Sequence, residues 1–238
     1  MYRGKRFLGI IPARQGSRGL PGKNIMNLCG KPLIGWSIET ASRSVYLDEC
    51  IVSSDGEDIL SIAKTFGASV PFVRPIELAT DSATSIAVVV HALDFFKNEK
   101  GIEFDYIVLL EPTSPLREDG DIDRMIERII ELEDSFDAIV SVGEVREHPS
   151  IMKRILENEI EPFCPGLPMT TRRQDNAVAF FPYGVAYITR AEVLRSEQTF
   201  YPKRTTWYEI QRYQCYEIDD LYDFLCVESV MRREWKIQ

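Results

Sequence analysis

Acidic residues are missing from the start of this sequence: no Asp or Glu occurs before Glu39, although the chain of 238 residues carries 37 of them. At that average frequency, about six would fall in this stretch. The same stretch holds seven basic residues: Arg3, Lys5, Arg6, Arg14, Arg18, Lys23 and Lys31. Because no carboxylate lies near them in sequence, these cations predict an anion site close to the N-terminus.

The chain as a whole lacks the excess of positive charge that is typical of nucleic-acid binders. Its formal net charge is -9 at pH 7, which would repel nucleic acids and anionic membranes from most of the surface. We therefore expect no nucleic-acid partner and no membrane partner. Histidine is scarce too, with His91 and His148 alone, and no Ser/His/Asp or Cys/His set has a recognisable spacing. Hydrolytic triad chemistry is not expected.

Paired cysteines and long hydrophobic runs are also absent. The five cysteines are widely spaced and form no C-x-x-C pair, a pattern typical of reduced thiols rather than of a disulfide framework or a zinc site. The apolar stretch near the N-terminus breaks at Pro12 and Arg14, and no later run approaches the roughly 20 residues that cross a bilayer. These features predict a cytoplasmic protein.

Short apolar runs alternate with segments of helical period over the first part of the chain. Residues 7–12 are bounded by charged and Gly-rich sequence, the pattern of a strand buried on both faces of a parallel sheet. Similar runs occupy residues 50–53, 69–73, 106–110 and 138–142, and helical periods occupy residues 33–44, 57–66, 82–98 and 121–133. The alternation predicts an α/β fold with a doubly wound, mostly parallel sheet, in a single domain over residues 1–238.

The alternation breaks after Val145, where four prolines fall between residues 149 and 168. We interpret residues 146–182 as an insertion, which would be either an arm that contacts a second copy or a long surface loop. A strand is then predicted at residues 184–188, a strand or hairpin at 208–218, and a closing amphipathic helix at 221–235.

The densest motif is ARQGSRGLPGKN at residues 13–24, directly after the first predicted strand. Ligands of α/β sheets collect at the carboxyl ends of strands. The three glycines let backbone N–H groups approach phosphate oxygens, and the three cations add charge at the same place. These residues are Gly16, Gly19 and Gly22 with Arg14, Arg18 and Lys23. The motif predicts a phosphate-binding loop.

Two better-known phosphate loops do not fit this spacing. The glycines are spaced three and three, whereas the dinucleotide fingerprint needs G-x-G-x-x-G. A Walker A loop would need Gly where Ser17 stands, and Ser or Thr where Asn24 follows Lys23. An ordinary basic surface turn is the remaining alternative.

The pattern R-x-G-S-x-G-x-P-G-K-N, followed by GKPL at residues 30–33, resembles the loop of the acylneuraminate (CMP-sialic acid) cytidylyltransferases. The resemblance continues in order along nearly the whole chain, through ELATDSATS at residues 77–85. It implies a Rossmann-like nucleotidyltransferase fold that binds CTP. The alternative for residues 77–85 is a loop that leads into a helix with Thr80 or Asp81 as its N-cap, and the two interpretations are compatible. The nucleotide-binding residues it implies are Ala13, Arg14, Gly16, Ser17, Gly22, Lys23, Asn24, Arg74, Ala79, Asp81 and Ser85.

The segment LLEPTSPLR at residues 109–117 resembles part of the family's sugar site, with Thr113 and Ser114 as implied contacts. The family usually carries Gln where this chain has Glu111. An amide donates and accepts hydrogen bonds, whereas an ionised carboxylate only accepts. Glu111 would repel the carboxylate of a sugar acid and accept bonds from hydroxyl or amino groups, which indicates a changed substrate. The alternative is that Glu111 pairs locally.

The segment TRRQD at residues 171–175, together with Lys153, resembles the elements that bind the carboxylate of the sugar acid. An arginine fork reads a carboxylate through two parallel hydrogen bonds. By motif position Arg173 is favoured over Arg172, with Gln174 beside them, and a solvated salt-bridge surface is the alternative. Tyr183 stands where the family commonly has Asn.

Two carboxylates near the C-terminus resemble the family's Asp-x-Asp metal pair. If residues 216–219 are extended, Glu217 and Asp219 project to one side while Ile218 packs inward. Mg²⁺ (or Mn²⁺) takes one or two carboxylates from protein when substrate phosphates and waters supply the rest. The alternative is that Asp219 or Asp220 caps the last helix.

The resemblance implies a homodimeric enzyme that condenses CTP with a nonulosonic acid, for cell-surface polysaccharide biosynthesis. Its catalytic residues would be Arg14, Arg18, Lys23 and Asp219. Three alternatives stay open. They are a cytidylyltransferase for Kdo or another sugar acid, a uridylyl or guanylyl transferase on a sugar phosphate, and a non-catalytic nucleotide-binding module of the same fold.

Overall fold

The computed structural model describes residues 1–17, 19–167 and 176–237. The predictions that concern Arg18, Arg172, Arg173 and Gln174 lie outside these residues. The α-helices are α1 (Leu33–Arg43), α2 (Glu57–Thr65), α3 (Ser85–Phe95), α4 (Asp121–Glu131), α5 (Ala191–Glu197) and α6 (Leu221–Glu234). A π-helical turn at Phe96–Lys100 extends α3, and short 3-10 helices lie at Lys23–Ile25, Ile76–Leu78, Pro149–Ile151 and Arg212–Gln214.

The strands form one large sheet and two small hairpins. The six-stranded sheet has the order β10-β6-β9-β5-β1-β4, in which β9 runs antiparallel to both of its neighbours and the other pairings are parallel. Its strands are β1 (Phe7–Pro12), β4 (Glu49–Ser53), β5 (Tyr106–Leu109), β6 (Ala138–Glu144), β9 (Phe180–Arg190) and β10 (Thr205–Glu209). The hairpins pair β2 (Asn27–Leu28) with β3 (Lys31–Pro32), and β7 (Lys153–Leu156) with β8 (Glu159–Pro162).

Helices cover both faces of this sheet, so the predicted doubly wound α/β architecture is confirmed. Along β1 the side chains alternate: Phe7 and Ile11 join the cluster that contains α1, α2 and α4, whereas Leu8 and Ile10 join the cluster that contains α3 and α5. Alternation follows from the two-residue period of a strand. Each of these four side chains is at most 1% exposed, as expected for a strand between two helical layers.

Three local predictions were wrong. Residues 69–73 contribute only a single bridge between Ser69 and Ile51, so β4 is the edge of the sheet. Residues 208–218 form no hairpin, because β10 ends at Glu209 and a capping box between Gln211 and Gln214 starts a 3-10 turn. The cap of α3 is Thr84, whose hydroxyl accepts from the Ala87 N–H, rather than Thr80 or Asp81.

The described part of the predicted arm contains the β7–β8 hairpin, all of whose strand side chains are exposed except that of Glu161. β9 begins at Phe180 and is longer than predicted, so the end of the interval 146–182 already belongs to the central sheet. The assignment of a single domain with an arm stays a prediction. Among the described residues, no helix is long and apolar enough to cross a membrane.

Candidate active site

A cavity of about 500 Å³ opens at the carboxyl ends of β1 and β5. This is a typical volume for a small-molecule site. Eleven of the residues predicted for nucleotide, sugar or metal line it: Arg14, Ser17, Lys23, Asn24, Arg74, Asp81, Ser85, Glu111, Thr113, Glu217 and Asp219. The fold therefore brings together segments as distant in sequence as those of Arg14 and Asp219.

Other predicted residues do not line this cavity. Ala13 is buried beneath the loop, Gly16 and Gly22 contribute no lining atoms, and Ala79 lies beside the lining residues Leu78 and Thr80. Lys153 is exposed on the β7–β8 hairpin. Tyr183 packs its ring edge-on against Phe181, with 5.2 Å between centroids.

The loop after β1 is held in shape by its own contacts and by β4. The Asn24 side chain is buried and its amide donates to the Arg14 carbonyl at 3.1 Å, which closes the loop. Gly22 has φ 69°, a left-handed conformation that favours glycine, and the 3-10 turn of Lys23 starts from it. The Gln15 N–H donates to Asp55 at 2.9 Å. The described residues of the predicted phosphate loop thus lie at the cavity wall.

Gly19 is the point at which this loop touches the C-terminal segment. A β-carbon at Gly19 would lie 2.3 Å from the backbone oxygen of Asp219, closer than any real contact. Lys23 connects the same two segments, because its ammonium donates to the Ile218 carbonyl at 2.8 Å and to an Asp219 carboxylate oxygen at 3.2 Å. The Lys23 side chain is only 13% exposed, so its charge faces the cavity rather than bulk water.

Two arginines occupy the side of the cavity where the resemblance implies the nucleotide. Arg14 donates to an Asp81 carboxylate oxygen at 2.7 Å, and both side chains are partly exposed. Arg74 is buried and bonds both the hydroxyl and the carbonyl of Ser53. Burial lowers the pKa of Arg74 to about 10, with Arg14 acting in the same direction and Asp55 opposing it. The residue stays positively charged at neutral pH.

A cluster of acids occupies the other side. One Glu217 carboxylate oxygen accepts from the Ser114 hydroxyl and from the Gly184 N–H, each at 2.6 Å. A β-carbon at Gly184 would lie 2.4 Å from a Glu111 carboxyl oxygen and 2.9 Å from that Glu217 oxygen. Only glycine at position 184 lets both carboxyl groups converge here.

Glu111 is held in an unusual ionisation state by this environment. Burial raises its pKa to about 7, and the neighbouring Glu217 carboxylate adds to the shift. Near neutral pH the group is therefore present both as a carboxylic acid, which donates, and as a carboxylate, which only accepts. The structure thus gives Glu111 part of the donor capacity that an ionised carboxylate lacks.

The Glu217–Asp219 segment has the alternation predicted from its sequence. Ile218 is fully buried while Glu217 and Asp219 both line the cavity. Asp220 caps α6 in a capping box with Asp223, so the Asp219 side chain is not used as the cap and is 84% exposed. Among the described residues, no group of three or more His, Cys, Asp or Glu side chains could hold a metal alone. The pair fits an ion whose shell substrate phosphates complete.

Three further residues near the acids were not singled out from the sequence. The Arg117 guanidinium is buried beneath Glu111 and Gly184. Tyr187 and Tyr201 pack edge-on with ring centroids 5.9 Å apart, and burial raises the pKa of each phenol, with Glu111 and Glu217 adding to the shift. An alternating strand pattern predicts which face a strand tyrosine such as Tyr187 occupies, but not that acids from distant segments influence its phenol.

Comparisons with known proteins agree with this arrangement. A family model described as "Cytidylyltransferase" matches residues 8–226. The chain is 34% identical over 220 residues, 92% of its length, to an N-acylneuraminate cytidylyltransferase from Streptococcus agalactiae serotype V. It is 32% identical over 217 residues, 91% of its length, to a pseudaminic acid cytidylyltransferase from Campylobacter jejuni. The family resemblance read from the loop is thereby confirmed.

The lengths covered differ between these relatives. The chain spans about half of the Streptococcus protein, 51%, but 92% of the Campylobacter protein. Among solved structures, a CMP:2-keto-3-deoxy-manno-octonic acid synthetase in complex with CTP superposes with a TM-score of 0.69. That match has 19% identity and covers 96% of this chain and 99% of the other, so it supports the fold.

Proposed function

The chain belongs to the cytidylyltransferase family, and we propose that it condenses CTP with a nonulosonic acid, a sialic-acid-like 2-keto sugar acid, to give the CMP-sugar and pyrophosphate. The observation that carries this proposal is that a basic phosphate loop and the acidic side chains of Glu111, Glu217 and Asp219 line the same cavity. The names of the Streptococcus and Campylobacter relatives, acylneuraminate and pseudaminic acid cytidylyltransferase, favour this class of acceptor.

In the proposed reaction, the anomeric hydroxyl oxygen of the acid attacks the α-phosphorus of CTP. The new P–O bond replaces the bond to the oxygen that leaves as pyrophosphate, and the hydroxyl proton is released to the solvent in the open cavity. Arg14 and Lys23 would steady the phosphates, and the role of Arg18 toward the sugar or the leaving pyrophosphate stays a prediction from the resemblance. Catalysis of this kind rests mainly on positioning and charge neutralisation.

The contacts of Arg14 and Lys23 in this structure support that role. Each cation forms a salt bridge with a carboxylate that lines the cavity: Arg14 pairs with Asp81, and Lys23 pairs with Asp219. Triphosphate oxygens would join or replace those carboxylates as acceptors, because charge-assisted bonds to phosphate match the geometry of both side chains. Arg74, Asn24, Ser17 and Ser85 line the same side and complete the proposed nucleotide site. Ala13, Gly16, Gly22 and Ala79 would contribute through their backbone.

We propose that Glu217 and Asp219 hold Mg²⁺ or Mn²⁺ together with the phosphates of CTP. Their carboxylates are hard oxygen donors and line the side of the cavity that Lys23 joins to the loop. When bound, such an ion neutralises charge at the α-phosphate and lowers the pKa of the attacking hydroxyl. The Gly184 N–H and the Ser114 hydroxyl would keep the Glu217 carboxylate oriented.

The acceptor would bind on the side of Glu111, Thr113 and Ser114. A carboxyl with a pKa of about 7 can donate to or accept from the hydroxyl and amide groups of a nonulosonic acid. Carboxylate recognition by Arg172 or Arg173 with Gln174, and contacts from Lys153 and Tyr183, stay predictions from the resemblance.

We further propose a cytoplasmic homodimer that supplies activated sugars to cell-surface polysaccharide biosynthesis. Ile155 and Ile160 stand directly opposite each other on the β7–β8 hairpin, and they are 78% and 69% exposed. Such an apolar pair on a projecting hairpin favours contact with a second copy. All five cysteines are free, which suits a reducing compartment. Light scattering coupled to size exclusion checks the dimer, which Ile155→Asp is expected to weaken.

The decisive test is pyrophosphate release measured across four nucleoside triphosphates and a panel of sugar acids. We expect release with CTP and at least one nonulosonic acid, dependent on Mg²⁺. Release only with Kdo or another acid, or with UTP or GTP and a sugar phosphate, would favour the corresponding alternative enzyme. CTP binding without any release, alongside an Asp219→Asn variant that binds equally well, would favour a non-catalytic module.

A further inference from the structure

Arg117 is a buried cation that makes bonds to neutral groups from three different elements. Its side chain is 3% exposed. The guanidinium donates to the carbonyls of Glu111 and Gly184, each at 2.7 Å, to the Val185 carbonyl at 2.5 Å, and to the Ser37 hydroxyl at 2.8 Å. These acceptors belong to the loop after β5, to β9 and to α1. Among the described residues, Arg117 forms no salt bridge with a carboxylate.

Such an arrangement is costly for stability alone. Burial disfavours the charged guanidinium, and it lowers the pKa of Arg117 to about 10. Removing a charge from water without a direct counterion is among the more expensive events in a protein interior. The guanidinium is suited to this position by its shape, because its planar fork of five N–H donors can bind several diverging carbonyls at once. No other side chain offers such a fork.

The carbonyls that Arg117 holds belong to the residues that build the acidic side of the cavity. One of its terminal nitrogens bonds both the Glu111 carbonyl and the Gly184 carbonyl. These two residues in turn contact the carboxyl groups of the cavity. The Gly184 N–H donates to Glu217 and orients it, and the Glu111 carboxyl packs against the Gly184 α-carbon. The Ser114 N–H also donates to the Glu111 carbonyl at 3.1 Å. Arg117 thus fixes the separation of the two backbone segments.

The nucleotide side of the cavity is held by different bonds. The Asn24 amide closes the loop on the Arg14 carbonyl, Arg14 pairs with Asp81, and Arg74 is fixed by Ser53. None of these bonds involves Arg117 or an atom that Arg117 contacts. A disturbance at Arg117 therefore reaches the Glu111 and Gly184 carbonyls directly, and it reaches the Glu217 carboxylate through the Gly184 N–H.

We propose that Arg117 is a positioning residue for the acceptor, which holds Glu111 and Glu217 at the separation that the second substrate requires. The inference rests on the proposed function and adds the residue that controls its acceptor side. A shift of the order of 1 Å at such groups can change rates by as much as about 10²-fold. Loss of the fork should therefore raise the KM for the sugar acid much more than the KM for CTP, which depends on this region only through the proposed metal ligand Glu217.

Arg117→Lys and Arg117→Met test this proposal, with Ser37→Ala as the matched control. Lysine keeps a positive charge but cannot bridge both carbonyls, whereas methionine removes the charge as well. We expect the KM for the acid to rise about tenfold or more in both variants, and the KM for CTP, measured at saturating Mg²⁺ so that a weakened metal site is filled, to rise by no more than about threefold. Ser37→Ala removes one bond that leads away from the cavity and should leave both values within about twofold. Equal rises in both KM values would overturn the proposal.

Crystal structures of wild-type protein and Arg117→Lys separate this inference from the proposed function. We expect the contact between the Gly184 nitrogen and Glu217 to lengthen in the variant while the Arg14–Asp81 and Asn24–Arg14 contacts persist. An unchanged Gly184–Glu217 contact would overturn the inference, as would the failure of both variants to fold, which would assign Arg117 to fold stability alone. Wild-type protein without turnover on any acid would overturn the proposed function, and these structures would then decide the role of Arg117.

Discussion

The two sides of the cavity are built in different ways. The nucleotide side is centred on one continuous loop at residues 13–24, closed by its own Asn24 amide. The acceptor side is assembled from three segments that are distant in sequence, represented by Glu111, Gly184 and Glu217, and a buried arginine ties the first two together. The loop of the nucleotide side is a local structure at the end of a strand, whereas the acceptor side forms only when the sheet brings its three segments together.

This difference has a consequence for substrate choice. The loop carries its own closing bond from Asn24 to Arg14, and its contacts with the rest of the chain are made by Gln15, Gly19 and Lys23. An assembled site changes its shape whenever one contributing strand shifts or one side chain is replaced. We therefore expect substitutions on the assembled side, such as those of Glu111, to alter the choice of acceptor more than the binding of the nucleotide.

The largest effect on the two sides is expected at Lys23, which belongs to the loop but bonds Ile218 and Asp219 of the acceptor side. Lys23→Ala removes the cation that faces the proposed phosphates and also separates the two sides. We expect turnover to fall by about 10²-fold or more with the fold intact, as judged by circular dichroism and the Tm. Lys97→Ala, which removes an exposed cation paired with Glu103, is the control. Wild-type activity in Lys23→Ala would remove the phosphate role of the loop.

The next largest effect is expected at Asp219, compared with its neighbour Asp220. Asp219→Asn removes one proposed metal ligand, and we expect Mg²⁺-dependent turnover to fall by about 10²-fold because charge neutralisation at the phosphate is lost. Asp220 caps α6, and Asn is an equally good cap, so Asp220→Asn should change turnover by less than about twofold. Steady-state assays over a Mg²⁺ titration measure both. Equal losses in the two variants would indicate that the segment matters only for folding.

The contact between the two sides at Gly19 can be tested with a single methyl group. Gly19→Ala would place its β-carbon 2.3 Å from the Asp219 oxygen, so the loop has to move, and we expect the KM for CTP to rise about tenfold. Gly16→Ala is the matched comparison, because a β-carbon there meets no atom within 4 Å, and a smaller rise is expected. If Gly16→Ala had the larger effect, backbone approach to the phosphates would outweigh the contact between the two sides.

The smallest effect concerns the proton of Glu111 and is a stability measurement on metal-free protein. The pKa of Glu111 is raised from 4.5 to about 7, so the folded state binds a proton that the unfolded state has lost over this interval. Wild-type stability should therefore fall as pH rises from about 4.5 to about 7, and Glu111→Gln should lack this contribution. We expect the Tm of the variant, relative to wild type, to be higher at pH 8 than at pH 4.5. A pH-independent difference would contradict the raised pKa.

The loop illustrates what could be predicted from the sequence. Spacing and placement after a strand identified residues 13–24, since both the glycine pattern and the end of β1 are local properties. The helical layers followed from periodicity in the same way. The prediction of a strand at residues 69–73 was wrong because an apolar run carries no information about whether a neighbouring strand offers hydrogen-bond partners.

The acceptor side could be predicted only in part. Glu111 and Glu217 were found through the family resemblance, but their convergence on Gly184 depends on strand order and on the antiparallel direction of β9. Arg117 carries no local signal of its role, because its partners at positions 37, 111, 184 and 185 are set by tertiary packing. The raised pKa of Glu111 depends on the same packing.

The most direct test of the two-sided site is a competition among acceptors with the nucleotide fixed. Wild-type protein, CTP and Mg²⁺ are incubated with an equimolar mixture of nonulosonic acids and Kdo, and the products are identified by mass spectrometry. We predict a CMP adduct of a nonulosonic acid, formed in a one-to-one ratio with pyrophosphate. The absence of any CMP adduct, or an adduct of Kdo alone, would contradict the account.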